Sequence, residues 1–186
     1  MRLILGPKII GRLLGTAIAC LFVVPYSFAQ GYHQLTADDF QGRTGNISMG
    51  VIAYTNCTID FQYLAHKQKN YYLLDFDIRL ILNKDKSWID MRRVTSDAML
   101  NEILKHEQGH YMIAFMEQQE LRRTLGKTVF RDDYKYTAQD IFNRIDAKYK
   151  KLNVDYDADT QHMLNREQQN SWDLYLNKQL EFMPPG

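Results

Sequence analysis

The chain has 186 residues, 45% of them hydrophobic and 24% charged, with 23 basic against 22 acidic side chains. That near-neutral balance excludes a protein drawn to nucleic acid by bulk charge, and the length suits one hydrophobic core. With two cysteines in all, a disulfide scaffold is excluded as well.

At the N-terminus, Arg2, Lys8 and Arg12 precede an apolar stretch from Leu13 to Ala29, and Ser27-Phe28-Ala29 puts small residues where a signal peptidase reads them. The expectation is a signal peptide over 1–29, cleaved near Ala29. The chain is then exported to the periplasm or the extracellular space, with no stable membrane insertion afterwards. An uncleaved anchor is the rival, because the apolar stretch is almost long enough to span a bilayer, but Pro25 and Ser27 give its end the character of a cleavage region. Cys20 leaves with the signal, so Cys57 is alone in the mature chain and reads as a small, buried or half-buried side chain. The remainder, 30–183, is expected to form a single domain. It has lost three basic residues, which leaves 20 against 22 acidic ones and a net charge of −2. Arg92-Arg93 and Arg122-Arg123 are short pairs that read as a solvated face and a helix terminus, and nucleic acid is not an expected partner.

Three segments alternate with period two: Ile47, Met49, Val51 and Ala53; then Ile59, Phe61 and Tyr63; then Leu74, Phe76, Ile78, Leu80 and Leu82. Turn-prone polar stretches around Asn56 and from Lys67 to Asn70 separate them. They predict an antiparallel sheet at the N-terminal end of the domain. A sheet of this kind either covers the following helix or offers an exposed edge to an extended peptide.

From Ser96 the pattern becomes helical. Ser96 is the expected N-cap, Asp97 suits the positive end of the dipole, Arg122 and Arg123 fall in the last turn, and Gly126 is the expected left-handed stop. Within this helix, near 97 to 125, lies His106-Glu107-Gln108-Gly109-His110, an HExxH pattern. Residues four apart share a helix face, so both imidazoles can reach one zinc ion with Glu107 beside them as a general base. Met99, Ile103, His106, His110, Ile113 and Leu121 keep a helical period, which puts the histidines on the stripe facing the core. Gly109 costs about 1 kcal/mol in a helix interior relative to alanine, which points to another backbone approaching closely there.

Further on, Thr137-Ala138-Gln139-Asp140 reads as a capping-box variant. It opens a helix with Ile141, Phe142, Ile145, Tyr149 and Leu152 on one face and an end near Asn153. A last helix follows from about Asp159, with Trp172, Tyr175, Leu176 and Leu180 as core contacts and Pro184-Pro185-Gly186 as a frayed tail.

Catalytic zinc usually takes three protein ligands. His33 and His66 lie in stretches that read as solvated loop or turn. Glu117 and Glu120 lie roughly 10 to 15 Å along the helix axis from His110, too far for the same ion. His162, between two helical patterns, is the preferred third ligand. Asp157 and Asp159 remain as ligands or as acceptors that orient a ligating imidazole. Tyr156 reads either as packing or as a hydrogen-bond donor to a tetrahedral intermediate.

Leu104 to Tyr111 around the motif, the upstream Ser87-Trp88-Ile89, the early Leu35 to Gly42, and the run from Tyr156-Asp157 to Thr160-Gln161-His162 together resemble a known family. It is the bacterial domain of unknown function 922 family, described as predicted secreted zinc-dependent proteases with a zincin-like HExxH motif. The likeness covers most of the mature chain. It implies His106, His110 and His162 as zinc ligands and Glu107 as catalytic carboxylate. Family members usually carry glycine after the last histidine, where this chain has Met163.

The sequence therefore predicts an α+β, zincin-like protein, its N-terminal antiparallel sheet followed by a long HExxH helix and two further helices. Its expected function is zinc-dependent hydrolysis of peptide bonds in a peptide or protein substrate by an exported metalloprotease. A non-catalytic zinc-binding or structural envelope protein, with Asp157 as a fourth ligand, is the alternative of another class. A zinc amidase acting on cell-wall peptides is the alternative of the same class.

Overall fold

The computed structural model describes residues 32–44 and 51–182, so the expected signal peptide, the Ile47 and Met49 positions and the Pro184-Pro185-Gly186 tail lie outside the described residues. Four strands come first: β1 (Ala53–Tyr54), β2 (Cys57–Lys67), β3 (Tyr72–Leu82) and β4 (Trp88–Ile89). Three helices follow: α1 (Asp97–Gly126), α2 (Tyr134–Thr160) and α3 (Arg166–Glu181). The fold is α+β, in the predicted order of sheet and then helices. No helix among the described residues is long and apolar enough to cross a membrane.

The strands form two separate antiparallel pairs, β1 with β4 and β2 with β3, where the alternation predicted one sheet. The break falls at Asn56. Its backbone amide donates to the Ser87 hydroxyl and its side chain bonds Tyr54 and Asn83, so the chain turns before β2 instead of extending β1. In the long hairpin, Ile59 pairs with Leu80, Phe61 with Ile78 and Tyr63 with Phe76, which brings both predicted apolar alternations to one face. That face packs on the helices, with the Phe61 ring stacked on Phe142 of α2 at 5.2 Å. His66 is exposed as expected, but still within β2.

Helix α1 lies at the centre, in contact with the hairpin, α2 and α3. Ser96 caps it by accepting from the Met99 amide. Its C-terminus differs from expectation, because Gly126 stays in the helix and no left-handed residue is used. Lys127 and Thr128 amides and the Thr128 hydroxyl satisfy the last carbonyls, so the stop needs no positive φ. The middle of α1 is buried on more than the predicted stripe, including the polar Glu107, Gln108, Glu117, Gln118 and Gln119. Gln118 and Arg122 reach the Ile78 carbonyl of β3. Gln108 accepts from the Leu35 amide at 2.7 Å and donates to the Tyr32 hydroxyl and the His33 carbonyl, which straps the N-terminal segment onto α1.

Helix α2 is longer than predicted at both ends. It starts at Tyr134, before the Thr137 capping box, and runs past Asn153 to Thr160. The supposed loop at Tyr156-Asp157 is its last two turns, which keep an apolar face because Tyr156 is completely buried between α1 and α3. Its approach explains Gly109, with an aromatic side chain where a backbone was expected: a Cβ there would stand 2.3 Å from the Tyr156 hydroxyl oxygen. α3 starts at Arg166, later than the predicted Asp159, with Asn165 as N-cap. Leu176 is fully buried, Trp172 and Leu180 pack at the core's margin, and Tyr175 is exposed.

Two stability predictions follow from the packing of α1. Gly109→Ala improves helix propensity but overpacks the Tyr156 ring, so thermal unfolding should show a loss of about 1–3 kcal/mol; a stabilised variant would contradict the contact. Glu117 has its pKa pushed up to about 7 by burial and by the nearby Asp146 carboxylate, against a smaller opposing pull from Lys150. A raised carboxyl pKa means the folded state holds a proton that the unfolded chain releases. Its contribution is therefore present below about pH 4.5 and lost as pH rises through about 7. Glu117→Gln should accordingly stabilise by on the order of 2–3 kcal/mol at pH 8 and by little at pH 4. Equal effects at the two pH values would show that Glu117 is not destabilised by ionisation.

Candidate metal centre

His106 and His110 lie one turn apart on α1, and their Nε2 atoms are 3.3 Å from each other. Asp157, in the last turns of α2, places Oδ1 3.2 Å from both of these nitrogens. Nδ1 of His162 is also 3.2 Å from the same oxygen. The alternative Asp157 therefore reaches the histidine pair directly and links it to the predicted His162. Asp159 does not join them, because its carboxylate accepts from the Trp172 indole. His33 is paired with Asp39, away from the cluster.

His162 reaches this position through an irregular helix end. Gln161, His162 and Met163 all have positive φ, at 49°, 49° and 76°. This left-handed run reverses the chain after Thr160 and carries His162 back over the end of α2. Thr160 donates to the Tyr156 carbonyl and accepts, through its own carbonyl, from the Asn165 amide, which closes the turn. Glycine adopts φ near 76° without strain, whereas methionine does so at a cost of roughly 1 kcal/mol or more. Met163 offsets this by burial: it is 6% exposed and packs with Ile52, Ala53, Ile89 and Ile103.

Neighbours fix the imidazoles. His110 Nδ1 lies 2.7 Å from Asn153 Oδ1, and His106 Nδ1 lies 3.0 Å from Gln169 Oε1 on α3. The Tyr156 ring stacks on His106 at 4.8 Å, and its hydroxyl donates to the His106 carbonyl. That bond engages the Tyr156 proton within the helix packing. Burial, together with the Asp173, Glu107 and Asp157 charges, also raises its pKa, so Tyr156 holds the site from behind. Glu107 is 3% exposed, and its Oε2 accepts from the Thr55 hydroxyl at 2.6 Å.

Electrostatically the cluster attracts positive charge. Burial works against ionisation of Asp157, but hydrogen bonds from His106 and His110 and the charges of His110 and His162 outweigh it and hold the carboxyl well below its usual range. Burial likewise opposes a charged His110, yet Asp157, Glu107 and Asn153 raise its pKa to about 9. Asp157 also sits near the negative end of the α2 dipole, with no basic residue in that last turn to compensate.

These residues fit a zinc ion on two counts. Imidazole and carboxylate donors at zinc bond lengths define a tetrahedron with edges of about 3.3 Å; the His106–His110 separation of 3.3 Å and the three separations of 3.2 Å from Asp157 to the histidines are of that length. The donor set, imidazole nitrogens with a carboxylate oxygen, is one that zinc favours. A cleft of about 150 Å³ opens over the cluster, lined by Val51 to Thr55 on one side and by Ile103, Asn153 and Met163 on the others.

Four residues here escape a reading of the sequence: Thr55, Asn153, Gln169 and Asp173. Asn153, Tyr156, Asp157 and Thr160 follow a helical i, i+3, i+4, i+7 spacing, a signal visible once α2 is extended beyond Asn153. Gln169 and Asp173 are likewise four apart. Thr55 carries no local signal.

No curated protein and no solved structure matches the chain. The profile of the family described as "Bacterial protein of unknown function (DUF922)" matches residues 27–163, a stretch that includes the HExxH motif and ends one residue beyond His162. The chain belongs to this bacterial family of unknown function, DUF922.

Proposed function

We propose that this chain is an exported zinc-dependent hydrolase that cleaves peptide bonds. The observation that carries the reading is that His106, His110 and His162 line one cleft with the Glu107 carboxylate, His106 lying within ligand reach of Glu107 and His110 on one side and of Asp157 and His162 on the other. The three histidines would hold the ion. When bound, zinc supplies Lewis acidity, which makes water a nucleophile near neutral pH and polarises a carbonyl group.

The chain's own groups supply the rest. Thr55 holds one Glu107 oxygen, so the carboxylate is oriented before substrate arrives. Glu107 accepts a proton from the attacking water and returns it to the leaving amine nitrogen. Strand β1 lies along the cleft and pairs with β4 on one side. The Asp90 amide donates to the Ile52 carbonyl, so by antiparallel alternation the polar groups of Ala53 turn towards the other edge. An extended peptide laid along that edge would pair with backbone, which supports a peptide substrate.

One observation favours a second reading. Asp157 Oδ1 is equidistant from nitrogens of all three histidines, as a fourth ligand would be. Four protein ligands would close the site and make zinc a brace between α1 and α2.

Elemental analysis of the mature chain, from Gln30 onward, should find one zinc, and His162→Ala should weaken its retention. Glu107→Gln should keep zinc and fold while peptide hydrolysis falls by roughly 10²-fold or more. Hydrolysis that survives this change removes Glu107 from the mechanism. A wild-type chain that holds zinc through four protein ligands by X-ray absorption, and cleaves no peptide, supports the bracing role instead.

A further inference from the structure

We infer that α3, through Gln169 and Asp173, sets which nitrogen of His106 carries the proton, and so presents His106 Nε2 to the metal as a bare lone pair. This rests on the metal-site reading and adds to it a residue outside the stretch that the family profile matches, since Gln169 follows its last residue, 163.

The hydrogen-bond polarity of the network follows from its chemistry. Gln169 is 1% exposed, and its amide meets three partners. Its Nε2 lies 2.9 Å from Asp173 Oδ1 and 2.8 Å from the Tyr156 hydroxyl oxygen, while Oε1 lies 3.0 Å from His106 Nδ1. A carboxylate accepts only, so the Gln169 nitrogen must face Asp173. The Tyr156 proton is already given to the His106 carbonyl, so that hydroxyl also accepts from Gln169. Both amide protons are thereby used, and the remaining Oε1 is an acceptor. His106 must then donate from Nδ1, so that when a metal displaces the proton that Nε2 shares with Asp157, the Nε2 lone pair is the one left for the ion. Asp173 is held in turn by Lys105 of α1, whose Nζ is 2.7 Å from Oδ2. Asp173 thus acts at a distance, by orienting the amide that orients the imidazole.

The choice of an amide has a chemical consequence. A carboxylate in this place would add negative charge behind the ligand and raise its basicity, whereas Gln169 gives the same direction without the charge. Gln169, buried behind His106 with its amide engaged by His106, Tyr156 and Asp173, is a positioning residue.

Zinc affinity is measured by competition with a chromogenic chelator for the full mature chain and for Gln169→Leu, Gln169→Glu and the double variant Gln169→Glu with Asp173→Asn. Gln169→Leu should weaken zinc binding by roughly 10- to 100-fold. Gln169→Glu is isosteric and should fold, but it sets two carboxylates face to face and should also bind zinc more weakly. The double variant restores a donor opposite an acceptor and should recover most of the loss. Long-range proton–nitrogen spectra of the zinc-loaded protein should show His106 with its proton on Nδ1, a signature that a packing role for Gln169 does not require. Wild-type affinity in Gln169→Leu, or no recovery in the double variant, overturns the inference while leaving the metal site intact. A wild-type chain that takes up no zinc overturns the metal-site reading and this inference with it.

Discussion

The contact between the Tyr156 ring and the Gly109 backbone governs the geometry of this molecule. Only a residue without a side chain lets α2 approach α1 so closely, and the approach brings Asp157 level with the two α1 histidines. Tyr156 fills the space behind His106, donates to its carbonyl and accepts from Gln169, so one fully buried side chain joins all three helices. The ends of α1 carry ordinary apolar packing, whereas its middle carries polar groups that each need a partner in a dry environment. Hydrogen bonding from Thr55, the N-terminal segment, β3, α2 and α3 supplies partners for Glu107, Gln108, Gln118 and the two histidines.

Much of this was legible in the residues, for identifiable reasons. HExxH is a short-range pattern whose geometry is set by one helical turn, so His106, Glu107 and His110 follow from sequence directly. The hairpin was legible because two long alternations each bury one face. The course of α2 was not. Polar Asn153, Asp155 and Asp157 break its apolar period, and they do so because two of them, Asn153 and Asp157, face the site rather than the core. The sequence rule that reads polarity as the end of a helix fails where a helix turns its polar residues into a cleft. His162 could be proposed because histidines are few, but the three left-handed residues that deliver it have no signature, since none of them is glycine. Thr55 and Gln169 lie 52 and 63 positions from their partners, and only tertiary structure reveals pairs so distant.

The site also shows how charge is managed inside a small domain. Glu107 and Asp157 bring two carboxylates to a cluster of imidazoles, while the groups behind the imidazoles of His106 and His110 are amides. The acidic groups thus stand beside the imidazoles, and the side chains directly behind those two rings are uncharged. Glu117, two turns along the same helix, has no such use for its charge, and burial leaves it strained by ionisation.

The strap that Gln108 holds has a bearing on when this site comes into being. Gln108 sits between Glu107 and Gly109, and its amide is saturated by Tyr32, His33 and Leu35, which are among the first residues beyond the expected cleavage point. α3, synthesised more than a hundred residues later, clasps the other side of the same helical turn. A nascent chain that stops short of α3 holds the HExxH turn without the second clasp. The arrangement of this turn is therefore a property of the whole folded chain, complete only when segments far apart in sequence have met on α1.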